Sequence, residues 1–175
     1  MRVVQPSLLF ILLLFQGCTH YMPPLAGPTA NLRLVTLPGN KTEIHTLVDA
    51  RCDSIPGATI AVVGEALRNE AGQGRSVGVP LDDPSSRSNA SEITIRSGQA
   101  LAVQMKAAKA PGPGGVQWRY EKCSKRFVLT PKEGMNFEAQ LEQYNGGCVL
   151  NIFRISREAG SYVRRVADAE VKHCR

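Results

Sequence analysis

Few residues in this chain are equipped for chemistry. Its 175 residues include three histidines and one tryptophan, and aromatics make up 6%. A hydrolytic triad needs a histidine held by a third group in a cleft. His20 lies in a Pro-rich stretch, and His173 adjoins Cys174. His45 lies in a strand-like run, on the opposite face from Ile44 and Thr46. None of the three has a triad's sequence context, and there is no G-x-S-x-G turn. Gly72-Gln73-Gly74-Arg75 lacks the Lys-Ser/Thr ending and the following helix of a phosphate loop. No two cysteines lie close in sequence, as the ligands of a cysteine-zinc site usually do. The sequence therefore names no catalytic residue, no metal ligand and no cofactor. No internal repeat is visible.

A long apolar run is also missing. Leu8–Phe15 is the most apolar stretch of the leader, at eight residues. A spanning helix needs about 20. This run follows Met1-Arg2 and ends at Gln16-Gly17-Cys18, before polar Thr19 and His20. That is the layout of a processed export signal. Phe15-Gln16-Gly17-Cys18 resembles the lipobox of bacterial lipoproteins, a Leu, a small residue, Gly or Ala, then Cys. Gly17 and Cys18 match; Phe15 and Gln16 depart from it, with Leu14 one place further back. The alternatives are an ordinary secretory signal and an uncleaved anchor. The resemblance covers residues 1–18. It implies that Cys18 carries acyl groups and begins the mature protein. One chain binds a membrane marginally, and stable anchoring takes two or more hydrophobic signals. Thr19, being other than Asp, implies by the same resemblance delivery to the outer membrane, facing the periplasm.

An export signal gives the remaining cysteines a meaning. Cys52, Cys123, Cys148 and Cys174 are an even set in an oxidising compartment, which predicts two disulfides. Three pairings are open. Residues 116–156 read as consecutive strands, which favours Cys123–Cys148 and leaves Cys52–Cys174.

Charge is mixed, with 21 Lys and Arg against 15 Asp and Glu. The basic excess falls mostly after Val116, where eleven basic residues meet seven acidic ones. Such a face suits anionic headgroups or an acidic partner, although a solvated mixed surface is the plainer reading. Nucleic acid is an unsuitable partner for an exported chain.

Residues 18–30 read as the lipidated cysteine and a Pro-rich spacer. Extended, it would hold the body roughly 35 Å from its anchor. Residues 31–175 then form one domain, which the chain is long enough to give a core. Strand patterns occur at 31–37, 42–48, 58–64, 92–98, 100–107, 116–123, 126–131, 136–144 and 148–156, with a strand pair or a strand and short helix over 162–174. In the first, Leu32, Leu34 and Thr36 share a face; in the second, Ile44, Thr46 and Val48 do. Residues 65–72 could make two helical turns, and 73–91 is a long Gly, Pro and Ser-rich loop. Short strands at even spacing predict one mostly β, antiparallel sandwich with long loops, similar to prealbumin-like or immunoglobulin-like domains.

Three further groups invite functional readings. Glu138 and Glu142 share a strand face, but stand roughly 13 Å apart there, beyond the roughly 5 to 9.5 Å of glycosidase carboxyls. Trp118, Arg119 and Tyr120 could form a stacking platform, though Trp118 and Tyr120 suit a core. Asn40-Lys41-Thr42 and Asn89-Ala90-Ser91 match glycosylation sequons without a bacterial meaning. The expected function is a non-catalytic binding, scaffold or accessory lipoprotein. It would contact the bilayer through Cys18 and another envelope protein through its body. The alternative is a periplasmic inhibitor or immunity protein that inserts the 73–91 or 108–115 loop into a hydrolase. An enzyme is the least favoured class.

Overall fold

Alternating apolar residues build both halves of the molecule. Leu32 and Leu34 are fully buried, as are Phe137, Ala139 and Leu141. Their polar neighbours point the other way, as a period of two requires. The computed structural model describes residues 20–37, 40–64, 75–80, 89–109, 119–144 and 147–174. These form ten strands: β1 Thr29–Thr36, β2 Asn40–Leu47, β3 Pro56–Gly64, β4 Ala90–Arg96, β5 Leu101–Lys109, β6 Arg119–Leu129, β7 Asn136–Tyr144, β8 Gly147–Glu158, β9 Ser161–Val166 and β10 Val171–His173. Among the described residues there is no helix.

The strands make two five-stranded sheets. The first has the order β4-β1-β7-β8-β9 and the second β10-β6-β5-β2-β3. The second is antiparallel throughout. The first is mixed, because β1 runs parallel to β7 while every other pair is antiparallel. Leu32, Leu34, Ile93, Ile95, Phe137 and Leu141 of the first sheet share one core with Ile44, Val63, Val103, Met105, Phe127 and Leu129 of the second. The expected β-sandwich is the observed fold.

Several expectations need correction. Residues 116–123 and 126–131 do not make two strands. Cys123 to Arg126 holds no Gly or Pro, so β6 runs through to Leu129. The short turn after Arg96 joins β4 and β5, which lie in different sheets. Residues 162–174 supply β9 and β10, which also lie in different sheets. β2 keeps an unbroken register with β5 from Asn40 to Thr46, but β3 carries extra residues opposite either side of His45, so the alternation breaks in β3, where Ile60 and Ala61 are both buried. Thr46 is half-buried, and Val48 lies beyond the end of β2 and is 67% exposed. The Pro-rich spacer is not free over its whole length. His20 bridges Thr59 in β3, the Tyr21 amide donates to Thr59 O at 2.9 Å, and β1 begins at Thr29. The helical turns expected over 65–72 lie outside the described residues.

Both disulfides form as the strand reading favoured. Cys123 on β6 joins Cys148 on β8 across the core, with Cα atoms 5.5 Å apart. Cys52 joins Cys174 on the outside of the second sheet, with Cα atoms 5.3 Å apart. This second bridge packs on Leu47, Ala102 and Val128, an apolar cluster separate from the core. The Arg126 guanidinium supports its loop by donating to Cys52 O at 3.0 Å and to Ser54 O at 3.2 Å. The bridges span 25 and 122 residues. Chain entropy assigns them about 3.5 and about 5 kcal/mol. Replacing both Cys52 and Cys174 by alanine should therefore lower unfolding stability by several kcal/mol, read from urea melts. An unchanged midpoint would count against the bridge, as would non-reducing peptide maps that pair Cys52 with Cys123 or Cys148.

Candidate functional site

Charged side chains occupy an outer face that the alternation alone assigns to solvent. Arg33 on β1 lies in register with Glu92 on β4 and with Glu138 on β7. All three are about 99% to 98% buried. Arg33 Nη1 donates to Glu138 Oε2 at 2.9 Å. Arg164 reaches over from β9 to Glu138 Oε1 at 3.4 Å. Glu92 is held differently. Its Oε2 accepts the backbone N–H of Val77 at 2.7 Å, of Gly78 at 3.0 Å and of Val79 at 3.2 Å, together with the Ser76 hydroxyl at 3.0 Å. Successive amides converging on one carboxylate form an anion nest, here filled by the protein's own side chain. Residues 75–80 are thereby strapped onto the β4 edge, and Glu92 N–H donates back to Arg75 O.

A second polar row lies beside the first. Thr94, Asn31, Asn136, Ile155 and Arg164 are in register across all five strands. Asn31 Nδ2 donates to Asn136 Oδ1 at 3.0 Å. The centre of this face is a network of ion-paired and hydrogen-bonded groups.

That network decides the Glu138 and Glu142 question. They do share a face of β7, but Glu138 is committed to two guanidinium groups. Glu142 accepts from Asn151 Nδ2 at 3.2 Å and from the Tyr144 hydroxyl, whose pKa is pushed up chiefly by that hydrogen bond. The structure does not bring the two carboxylates together. His45 is half-buried and shares a hydrogen bond with the Thr59 hydroxyl at 3.3 Å. Burial pushes its pKa below the ordinary 6.5; Glu43 opposes that shift and Lys106 adds to it. His20 pairs with Thr59 through its backbone, and the residue is exposed. Cys18, Trp118 and most of the 73–91 and 108–115 loops lie outside the described residues, as do the side chains of Arg119 and Tyr120. Among the described residues no cluster of histidine, cysteine or acidic groups could hold a metal ion.

The four sheet edges differ in how they are closed. At β3, Thr59 is taken by His20 and Tyr21. At β4, residues 75–79 lie alongside Glu92. β10 offers three residues. β9 offers six, mostly exposed, and its ladder partner is β8 alone. Ala159 and Gly160 join β8 to β9 with φ of 48° and 89°. Two residues of positive φ make the tight turn whose twist matches the strands. Glu158 and Ser161 close that turn. Hydrogen-bonded pairs then alternate from it, so Tyr162, Arg164 and Val166 turn their backbone N–H and C=O groups to the free edge. Arg165 meets Glu158 at 2.7 Å, and Arg157 lies over the Tyr162 ring at 5.9 Å from its centroid. The basic excess of the C-terminal half is gathered on this hairpin. Sequence reasoning found the excess but not the open edge, which depends on knowing that β9 ends its sheet.

The chain matches no protein-family model, no curated protein and no solved structure.

Removing one partner of a buried ion pair leaves an uncompensated charge. Glu138→Ala should cost about 3 to 5 kcal/mol of stability, and Arg33→Met with Glu138→Leu should recover most of that loss in denaturant melts. Additive losses in the double variant would contradict the pairing. His45 gives a pH signature. Its folded pKa lies below its unfolded value, so its contribution is present above pH 6.5 and is lost as pH falls through the folded value. His45→Gln should flatten the decline in melting temperature below that pH.

Proposed function

We propose that this protein is a lipid-anchored envelope protein whose sandwich is a non-catalytic binding module, taking an extended acidic segment of a partner protein along β9. The open β9 edge carries the reading. An uncovered strand presents an unpaired row of donors and acceptors, which native proteins otherwise short-circuit. Here, among the described residues, β8 alone pairs with β9, and the edge is basic. Arg164 and Arg165 repel a second copy of the same edge and favour acidic residues on a visiting strand. Main-chain pairing supplies the affinity in such additions, and alternate side chains supply the choice of partner.

Compartment and anchor belong to the same proposal. Two disulfides suit an oxidising environment. The Gly17-Cys18 junction supplies the acylation site for attachment to the outer membrane, with the domain in the periplasm. A binding role is also supported by where the reactive groups are spent: Glu138 on two arginines and His45 on Thr59.

The test is Val166→Pro. Val166 lies opposite Phe153 as a pair whose amide faces the free edge, so proline removes a docking donor while the β8 ladder survives. A photo-crosslinker at Arg165 should capture one envelope protein through an acidic segment, and Val166→Pro should weaken that capture about tenfold or more, the worth of ~1.4 kcal/mol. Capture undiminished by Val166→Pro would move the partner site elsewhere. Cys18→Ser should release the protein from the membrane fraction; persistent attachment would remove the anchor from the proposal.

A further inference from the structure

The segment before β1 is pinned to one corner of the sandwich at His20 and Tyr21. Tyr21 is fixed there twice: its amide donates to Thr59 O, and its hydroxyl donates to Thr94 O at 3.0 Å. Its ring packs against the core. Two residue steps lead from Cys18 through Thr19 to the pinned His20, a reach of about 7 Å at most. Anything attached to Cys18 is therefore held close to this corner.

The corner is apolar in an unusual way. Met22 is 80% exposed and Leu25 is 96% exposed, the two most exposed large apolar side chains among the described residues. Beside them opens a cleft of about 240 Å³, lined by Tyr21, Met22, Pro24, Ile95, Arg96 and Leu101 among others. Arg96 puts a cation at its wall. Its field lowers the pKa of the Tyr21 hydroxyl, against a larger upward push from burial. Exposed apolar side chains next to a cation, within reach of an acyl-bearing residue, match the layers of an anionic membrane surface. Apolar groups enter the acyl boundary, and basic groups meet phosphates.

We infer that this corner is the membrane-contacting face of the domain: Met22 and Leu25 enter the bilayer interface and Arg96 meets lipid phosphates, so that the body rests on the membrane instead of standing off on a spacer. The inference depends on the lipid-anchor reading and adds an orientation to it. Arg96 ends β4, at one edge of the first sheet, while β9 forms the opposite edge. Four strand spacings, roughly 19 Å, separate those edges. The orientation directs the β9 edge away from the bilayer, towards a periplasmic partner.

The experiment uses the full chain, purified from membranes and reconstituted into phosphatidylglycerol vesicles that contain a brominated phospholipid. In a Trp118→Phe background, Leu25→Trp reports contact at the corner, and Val166→Trp, at a position 65% exposed on β9, serves as the distant control. The Leu25→Trp emission should shift to the blue and be quenched, whereas Val166→Trp emission should not. Adding Arg96→Glu should reduce the quenching, as should phosphatidylcholine vesicles. The intact mass shows separately whether Cys18 is acylated. Acylated protein with equal quenching at both positions overturns this inference alone. Protein without acyl groups on Cys18 overturns the anchor reading, and this inference with it. Quenching unchanged by Arg96→Glu overturns the phosphate contact.

Discussion

The first sheet is organised around the ion pair of Arg33 with Glu138. These residues sit 105 positions apart on neighbouring strands, and their contact fixes β1 alongside β7 in parallel register. A one-residue slip of β1 would carry Arg33 to the inner face, away from Glu138, and turn Leu32 and Leu34 outward. The same slip would separate Asn31 from Asn136. Apolar alternation and polar pairing therefore demand the same register, each from its own face. Burying a charge pair is a costly route to stability. Its value here lies in the alternative alignments that it forbids. Arg164 extends the network to β9, and the nest around Glu92 extends the polar face to β4.

Much of the architecture is legible in the local pattern. NFEAQLEQY alternates cleanly because Phe137, Ala139 and Leu141 face one core, and β7 has the bounds the sequence suggests. The cysteine pairing was legible because Cys123 and Cys148 lie on strands that the intervening turns fold back over one another. What stayed hidden was long-range. Nothing near Arg33 announces that Glu92 and Glu138 will flank it, since the three come from strands that are distant in sequence. Outward positions also read as wet by default, and residues 75–80 upset that rule by covering Glu92. The bulge at His45 was invisible for a different reason. Its extra residues belong to β3, and they show only when β3 is laid against β2.

The edges of the two sheets follow one logic. Each is closed by whatever chain lies nearest: the N-terminal segment at β3, the strap at β4, and brevity at β10. β9 departs from the rule and is charged where the others are covered. That contrast sets β9 apart in a molecule whose buried carboxylates, Glu92 and Glu138, are already engaged.

The long spans of the β1–β7 pairing and the Cys52–Cys174 bridge have a consequence for the order in which the molecule can form. β1 needs β7 to complete its register, and Cys52 must wait for Cys174, 122 residues further on. The N-terminal half thus has no finished structure to adopt while the rest of the chain is still arriving. Topologies dominated by distant contacts fold slowly, and this one defers its closing steps until β7 and Cys174 have arrived and an oxidant is present. A chain held open in this way stays pliable for most of its length, and it locks only when partners more than a hundred residues apart have met.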